Sequence, residues 1–302
     1  MSMEVTDSQA LGYLTSQLSH IETRVWERKY TPIVYQDLVP VSNEAGEWAT
    51  SIEVHYMDGT AEGKFISSAA DDINFARIES GRDQVSVAYG GVGYEYTLDD
   101  LRKAAHLRRP LDTLQAVKAR RGYEEHAQRI AFNGDADRGL EGLLNHSAVS
   151  TAAAASTFAV AAAVSADAVA AIINEPINAI YDESNGMEIA GRVLLPISRF
   201  NLLATTRMDI AGSAMTLLEY IKRNNVYTAV TGKPLEIRAL PQLTDSMVVY
   251  SANEDVMVMH IPLVLRFLPP QPMNLKVRVP GEYKIAGLEM RYPGAVRYRT
   301  GI

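Results

Sequence analysis

The stretch Tyr123–Asn145, YEEHAQRIAFNGDADRGLEGLLN, constrains the fold of this chain more than any other. Ala127, Ile130 and Ala131 continue a helical apolar face, and Asn133 and Gly134 are the residue types that best tolerate the left-handed conformation at a helix C-terminus. Asp135 cannot usefully extend the helix. Gly139 and Gly142 then let the returning backbone turn tightly or approach another segment closely. The stretch therefore predicts a long helix that stops at Asn133-Gly134-Asp135, followed at once by a glycine-punctuated return through Gly139-Leu140-Glu141-Gly142-Leu143. It is a structural signature and assigns no catalytic role.

The helix that ends there begins far upstream. Thr97-Leu98-Asp99-Asp100 reads as its start, with Thr97 as N-cap and acidic residues favourable to the helix dipole. The helical pattern runs to Phe132, about 35 residues or roughly 50 Å if continuous. Pro110 is expected to kink or break it early. Arg108-Arg109 and Arg120-Arg121 are read on its wet side.

Ahead of this rod, Leu11, Leu14, Leu18, Ile21 and Val25 recur at spacings of three and four, a narrow apolar stripe on a polar helix over residues 7–28. The pattern fits a helix docked on its own domain and an arm packed on a neighbouring subunit equally. Thr31-Pro32 ends it, and the segment to Pro40 reads as extended. Residues 47–96 read as β structure: a strand from Trp48 to Met57, a hairpin signal at Asp58-Gly59, and alternation at Val85, Val87 and Tyr89 before Gly90-Gly91. The middle, Thr60 to Gly81, is polar with few core residues, which suits a long hairpin projecting from the body. Gly90-Gly91-Val92-Gly93 has no following Lys-Ser/Thr and no surrounding βαβ pattern, so it reads as a strand bulge and not a phosphate loop.

After the glycine-punctuated return, Ala148 to Ala166 is uncharged but rich in Ala, Ser and Thr, too weakly apolar to span a membrane, and reads as surface loop or strand. An α/β lobe follows. Ala166 to Tyr181 is helical although Pro176 disturbs it; Arg192 to Leu195 is a strand; Pro196 opens a helix from Ile197 to Thr205; another helix spans about Ala214 to Arg223. Val226 to Leu243 reads as strand, turn at Thr231-Gly232-Lys233-Pro234, and second strand. The last third is β-rich, with strands at Met247–Tyr250, Val256–Ile261, Leu263–Phe267, Leu275–Val279 and Gly287–Arg299, punctuated at Pro269-Pro270 and Pro280-Gly281.

Composition narrows the function classes. A chain of 302 residues with 47% hydrophobic and 22% charged residues can bury a real core. A net charge of −7 lacks the basic balance of a nucleic-acid reader, leaving only weak local contact with nucleic acid. The absence of cysteine removes disulfides, thiolate catalysis and cysteine zinc sites together. The opening MSMEVTDSQ has neither a secretory signal nor a myristoylation pattern, so synthesis in a cytoplasm is expected; Asn145-His146-Ser147 matches a glycosylation sequon that carries no meaning without secretion.

No constellation for catalysis, a cofactor or a metal emerges. His20, His55, His106, His126, His146 and His260 are scattered without paired metal spacing, and read as structural or surface histidines. Asp135-Ala136-Asp137 hints at a calcium loop, but Arg138 stands where its glycine belongs and Leu144 replaces its bidentate glutamate.

A spine helix ending in N-G-D and followed by G-L-x-G-L, carried here by Asn133, Gly134, Asp135, Gly139, Leu140, Gly142 and Leu143, resembles the tailed-phage major capsid proteins with the Hong Kong 97 type of fold. Arg291-Tyr292-Pro293-Gly294-Ala295-Val296 also resembles that family's closing strands, and the order of elements agrees over essentially the full chain. The resemblance implies an α+β fold with five segments: an N-terminal arm (1–46), an extended loop with flanking strands (47–96), the spine helix and start of the peripheral domain (97–150), an axial α/β domain (151–262), and closing strands of the peripheral domain (263–302). It implies a structural head protein that assembles into pentamers and hexamers of an icosahedral shell around double-stranded DNA, made in the host cytoplasm and located in the virion. Portal, scaffolding or decoration proteins would be its partners, with no membrane involved. Candidate subunit-interface residues on this reading are Leu11, Leu14, Leu18, Ile21, Val25, Trp48 and Lys64. In some members a loop lysine forms an isopeptide bond with an asparagine of another subunit, helped by a glutamate. Lys64 lies in the loop, but Asn274 and Glu282 are only guesses for its partners. An encapsulin-like compartment shell and an α/β enzyme built on residues 166–243 are the alternative readings.

Overall fold

In a computed structural model the described residues are 30–60, 77–107, 111–159, 162, 165–207 and 215–302. The chain divides into two units, Met1–Pro32 and Ile33–Ile302. The amphipathic stripe Leu11–Val25, His20, Arg108-Arg109 and Lys64 lie outside the described residues; the account below concerns the second unit.

In chain order its elements are α1 (Tyr35–Leu38), β1 (Val41–Ser42), β2 (Ser51–Thr60), β3 (Arg77–Gly91), β4 (Tyr94–Thr97), α2 (Leu98–Leu107), α3 (Leu111–Asn133), a 3₁₀ turn (Ala136–Arg138) and β5 (Ser150–Ala153). There follow α4 (Ala166–Glu183), β6 (Arg192–Leu195), α5 (Ile197–Thr205), α6 (Leu217–Arg223), α7 (Val226–Thr231), β7 (Glu236–Ala239), β8 (Ser246–Tyr250) and β9 (Met257–His260). The chain closes with β10 (Leu263–Phe267), β11 (Gln271–Met273), β12 (Lys276–Val279), β13 (Gly281–Ala286), β14 (Leu288–Met290), a 3₁₀ turn (Pro293–Ala295) and β15 (Val296–Thr300).

Where the rod is expected, the described residues form two helices, α2 beginning directly after Thr97 and α3 beginning at Leu111; Pro110, the expected breaking point, lies outside the described residues. The described strands form four sheets. The largest has the order β5-β15-β8-β6-β7; the others are β10-β13-β3-β2, β11-β12-β4 and β1-β9-β14. The last strand, β15, lies in the large sheet. Its residues Val296–Thr300 pair with β8 and β5, strands of the 151–262 segment, because alternating apolar residues on β15 complete that sheet's core.

Helix α4 lays Val169, Ile172, Ile173, Pro176, Ile177 and Ile180 against this sheet. Pro176 sits within the helix, and its burial places the ring in the core in exchange for one backbone donor. Ser165 caps the helix start, its Oγ accepting from the Ala168 amide. Across the sheet, β15 presents Arg297 and Arg299, both almost fully buried. Arg299 makes two 2.7 Å bonds to the Glu175 carboxylate and Arg297 bonds Glu183, so α4 is tied to β15 at two points eight residues apart.

Five expectations are corrected. Residues 35–38, read as extended, form the short helix α1, which buries Tyr35 and Leu38. Asp58-Gly59, read as a turn, lies inside β2, opposite Glu79 and Ile78, since the pairing with β3 runs on to Thr60. Gly90-Gly91 forms no bulge: Gly90 pairs with Tyr283 and Gly91 with Glu282 in unbroken register. A Cβ at Gly90 would lie 2.5 Å from the Tyr283 ring, so the glycine clears space for an aromatic that stacks edge-on against Tyr123 of α3. Val226–Thr231, read as a strand from its Val, Tyr and Thr content, is the helix α7. Asn225 caps its start through the Thr228 amide and Gly232 ends it at φ +72°, so capping overrides β propensity. Finally β13 occupies residues passed over as turn, and it is the inner strand joining β3 to β10.

Candidate functional site

The feature that organises the chain is a joint, and its geometry follows from what a helix end lacks. The last four carbonyls of α3 have no partner within the helix. Here each finds one. The Ile130 carbonyl accepts from the Gly134 amide (2.9 Å), Ala131 from Leu143 (2.9 Å), Phe132 from Leu144 (2.9 Å), and Asn133 from the side-chain amide of Asn145 (2.8 Å). The returning segment thus caps the helix that precedes it.

Between helix and return the backbone reverses at Gly134, φ +67°, and Asp135 and Leu140 exchange both amide bonds (2.8 and 2.9 Å). Inside this loop Asp135 Oδ1 accepts from the Asp137 amide and Gly139 reverses the chain again at φ +65°. Leu140 and Leu143 are buried, and Gly142 lies so close to the helix that a Cβ would sit 2.4 Å from the Phe132 carbonyl. The seven residues predicted from the sequence, Asn133, Gly134, Asp135, Gly139, Leu140, Gly142 and Leu143, are therefore brought together. The two aspartates serve the turn, and among the described residues no group of acidic or histidine side chains is arranged to hold a metal.

Sequence reasoning missed the residues that fasten the joint to the rest. Asn145 was visible only as part of a sequon, yet its Oδ1 accepts from the Gly142 amide while its Nδ2 donates to Asn133. Tyr298 of β15 donates to the Leu143 carbonyl (2.7 Å) and accepts from the His146 amide, and burial pushes its hydroxyl up to about 12. On the other side of α3, Tyr35 donates to Glu124 (3.0 Å) and Gln128 accepts from the Val34 amide (2.7 Å). Helix α1 is in turn held to the large sheet, since Tyr250 donates to the Leu38 carbonyl and Arg192 to those of Asp37 and Leu38. Spine helix and sheet are locked through four residues of α1.

A second buried device was also missed. His260 and Glu289 lie 2.5 Å apart, both nearly fully buried, and Arg291 donates to the other Glu289 oxygen at 2.8 Å. Burial alone would raise the Glu289 carboxyl; the hydrogen bonds from His260 and Arg291 outweigh it and hold the group below its ordinary value. The pair joins β9 to β14 and is a structural brace. His55 and His106 are exposed, whereas His126 and His146 are part-buried and their imidazoles are held below the usual value chiefly by burial.

Of the predicted interface residues only Trp48 is described, and it is 86% exposed. Asn274 is the left-handed residue of the β11–β12 turn, and Glu282 accepts from Tyr89 and Arg266, so each has a structural occupation.

The sequence pattern of the major capsid protein family matches residues 60–302. No curated protein sequence matches the chain. Among solved structures the chain is similar to the capsid of Myoviridae phage XM1, with a TM-score of 0.79 at 19% identity, over 95% of this chain and 98% of that one. It is similar to the capsid of the empty GTA particle (TM-score 0.62, 13% identity, 96% and 98% covered) and to that of Gordonia phage Cozz (0.63, 12%, 99% and 96%). Likeness at such low identity is likeness of fold, and it extends over nearly the whole of each chain. With the family match over most of its length, this chain belongs to the major capsid protein family, a structural shell protein with the Hong Kong 97 type of fold.

Proposed function

We propose that copies of this chain assemble as pentamers and hexamers into an icosahedral shell that encloses double-stranded DNA. The observation that carries this reading is the β2–β3 hairpin. Its ten pairs, from Ser51↔Ser86 to Thr60↔Arg77, extend about 30 Å, and among the described residues no third strand pairs with Arg77–Ser86. A two-stranded ribbon is marginal on its own in water. A ribbon of this length gains its stability from a surface beyond its own chain, and a neighbouring subunit supplies one. Heterologous contacts of that kind close into rings.

On this reading residues 1–46 are an arm that reaches a neighbour through Leu11, Leu14, Leu18, Ile21 and Val25, and residues 47–96 form the extended loop that carries Lys64. Residues 97–150 are the spine and joint, 151–262 the axial domain, and 263–302 the closing strands of the peripheral domain. A net charge of −7 suits a wall that contains DNA through weak, non-specific contacts. Assembly takes place in the host cytoplasm, with portal, scaffolding or decoration proteins joining the particle. Replacing residues 58–79 with a short Gly-Ser turn tests the hairpin's role. The shortened subunit should keep its circular dichroism and sediment only as small species, whereas closed shells from it would remove the hairpin from the assembly mechanism.

A further inference from the structure

In three dipeptides of this chain, Asp58-Gly59, Asn133-Gly134 and Asn185-Gly186, a side-chain carbonyl is followed directly by a glycine amide. Glycine has no Cβ to shield its nitrogen, so that amide can close a five-membered ring on the carbonyl carbon of the side chain before it. The sequence does not choose among the three. The fold does, because ring closure must swing the glycine peptide out of its folded position.

Two of the three are held. Asp58 and Gly59 pair with Glu79 and Ile78 inside the β2–β3 ladder, so the peptide between them cannot turn without opening it. Asn133 closes α3, its carbonyl accepts from Asn145, and Gly134 packs against the returning segment, where a Cβ would lie 2.1 Å from the Leu140 carbonyl oxygen. Asn185-Gly186 lies instead in the turn that follows α4, and Asn185, Gly186 and Met187 are all exposed. A Cβ built on Gly186 would meet nothing nearer than the Tyr181 ring, at 3.5 Å, which is ordinary contact, so this peptide has room to rotate. Asn185 sits at φ +50° and Gly186 at φ +80°. A positive φ costs asparagine energy that leaving the turn returns. The Gly134 and Gly186 amides each donate one 2.9 Å bond, to Ile130 and Tyr181, so that bond opposes ring closure equally at both sites.

We infer that Asn185 is a site of self-modification, at which the side-chain amide is lost through a succinimide. Water or hydroxide removes the Gly186 amide proton, the nitrogen attacks Asn185 Cγ, the Cγ–Nδ2 bond breaks and ammonia leaves. Water then opens the ring. Breaking the bond from the ring nitrogen to Cγ leaves aspartate at this position; breaking the bond to the main-chain carbonyl carbon leaves isoaspartate, with the chain continuing through the side chain. The net change consumes one water and releases one ammonia, and no oxidant or cofactor enters. The product carries a new carboxylate just beyond the C-terminal end of α4, whose last turn already holds Asp182 and Glu183 and no basic residue. Negative charge there opposes the helix dipole. The isoaspartyl branch also adds a methylene to a turn that the Ser184 hydroxyl clamps through Tyr181 and Glu188. Each subunit is thereby marked by its age, and the end of α4 is weakened. The chemistry needs only the folded subunit and is independent of the shell reading.

The test uses the full-length protein, incubated at mildly alkaline pH below its melting transition, then digested and mapped by mass spectrometry with enzymatic methylation of isoaspartyl carboxyls. The expected result is the amide-to-acid mass gain and the isoaspartyl label in the peptide that holds Asn185. Asn133 is expected to react more slowly by about tenfold or more, the rate equivalent of backbone strain of the size met at Gly134. In denaturant the two sites should react at similar rates. Folded protein in which Asn185 stays unmodified, or in which Asn133 keeps pace with it, overturns the inference. So does a denatured chain that reproduces the folded ratio, which would place the choice in the local sequence. Asn185→Gln, whose longer side chain needs a larger ring, is expected to abolish the label in that peptide; a persisting label there overturns the assignment to Asn185.

Discussion

Gly142 is the residue on which the joint most visibly depends. A Cβ there would collide with the Phe132 carbonyl carbon and oxygen, both 2.4 Å away, and with the Asn133 amide at 2.6 Å, all backbone atoms that cannot rotate aside. Gly134 combines a positive φ with a similar collision, 2.1 Å from the Leu140 carbonyl oxygen. Gly142→Val is therefore predicted to destabilise the subunit by about 3 kcal/mol or more, because the returning segment that caps α3 must move away from it. A normal melting temperature and a normal particle yield would contradict this. Glu289 makes a prediction about pH. Its folded-state value lies below the ordinary 4.5, so the stability it contributes is complete above that pH and is lost as pH falls through the lowered value. Unfolding free energies of dissociated subunits should fall on acidification below about 4.5, and Glu289→Gln should flatten that slope while costing about 2 kcal/mol at neutral pH, where it weakens the bonds to His260 and Arg291. An equally steep acid limb in the variant would show that other carboxylates set it.

At the scale of elements, α1 is the smallest piece with the widest reach, since it bonds both the spine helix and the large sheet. Tyr250→Phe removes its buried hydroxyl bond to the Leu38 carbonyl and leaves that acceptor only the longer bond from Arg192 (3.2 Å), a predicted cost of about 1 kcal/mol in denaturant titration. A cost near zero would mean that Arg192 alone holds the helix. This element was invisible in the sequence because four residues carry too little periodicity to declare a helix, and Pro32 and Pro40 on either side suggest extension. Elements bounded by strong local chemistry were legible: β6 and α5 meet at Pro196 where expected, and α3 stops at Asn133-Gly134. Elements decided by distant partners were not. Strand β13 carries Gly, Glu and Lys between a proline-glycine turn and a glycine, and only its pairing with β3 on one side and β10 on the other makes it a strand. Likewise Asp58-Gly59 is a good turn sequence that continued cross-strand pairing overrides. The joint's glycines and leucines were readable because they act locally. Asn145, Tyr298 and the His260–Glu289 brace were not, since their partners lie 12, 155 and 29 residues away.

For the whole molecule, the described unit holds one continuous core running from Tyr35 to Ile302, while the parts that the shell reading uses for assembly project from it or stand uncovered on it. The β2–β3 ribbon is ordered by its own ten pairs, and among the described residues no third strand covers Arg77–Ser86. That division, a rigid joint-and-sheet body with outward elements, is what a subunit needs if its neighbours are to complete it. The most direct test is electron microscopy of the purified full-length protein under assembly conditions. The account predicts closed shells tens of nanometres across, with five- and sixfold clusters and each hairpin lying over an adjacent subunit; a protein that stays monomeric under all such conditions would contradict it.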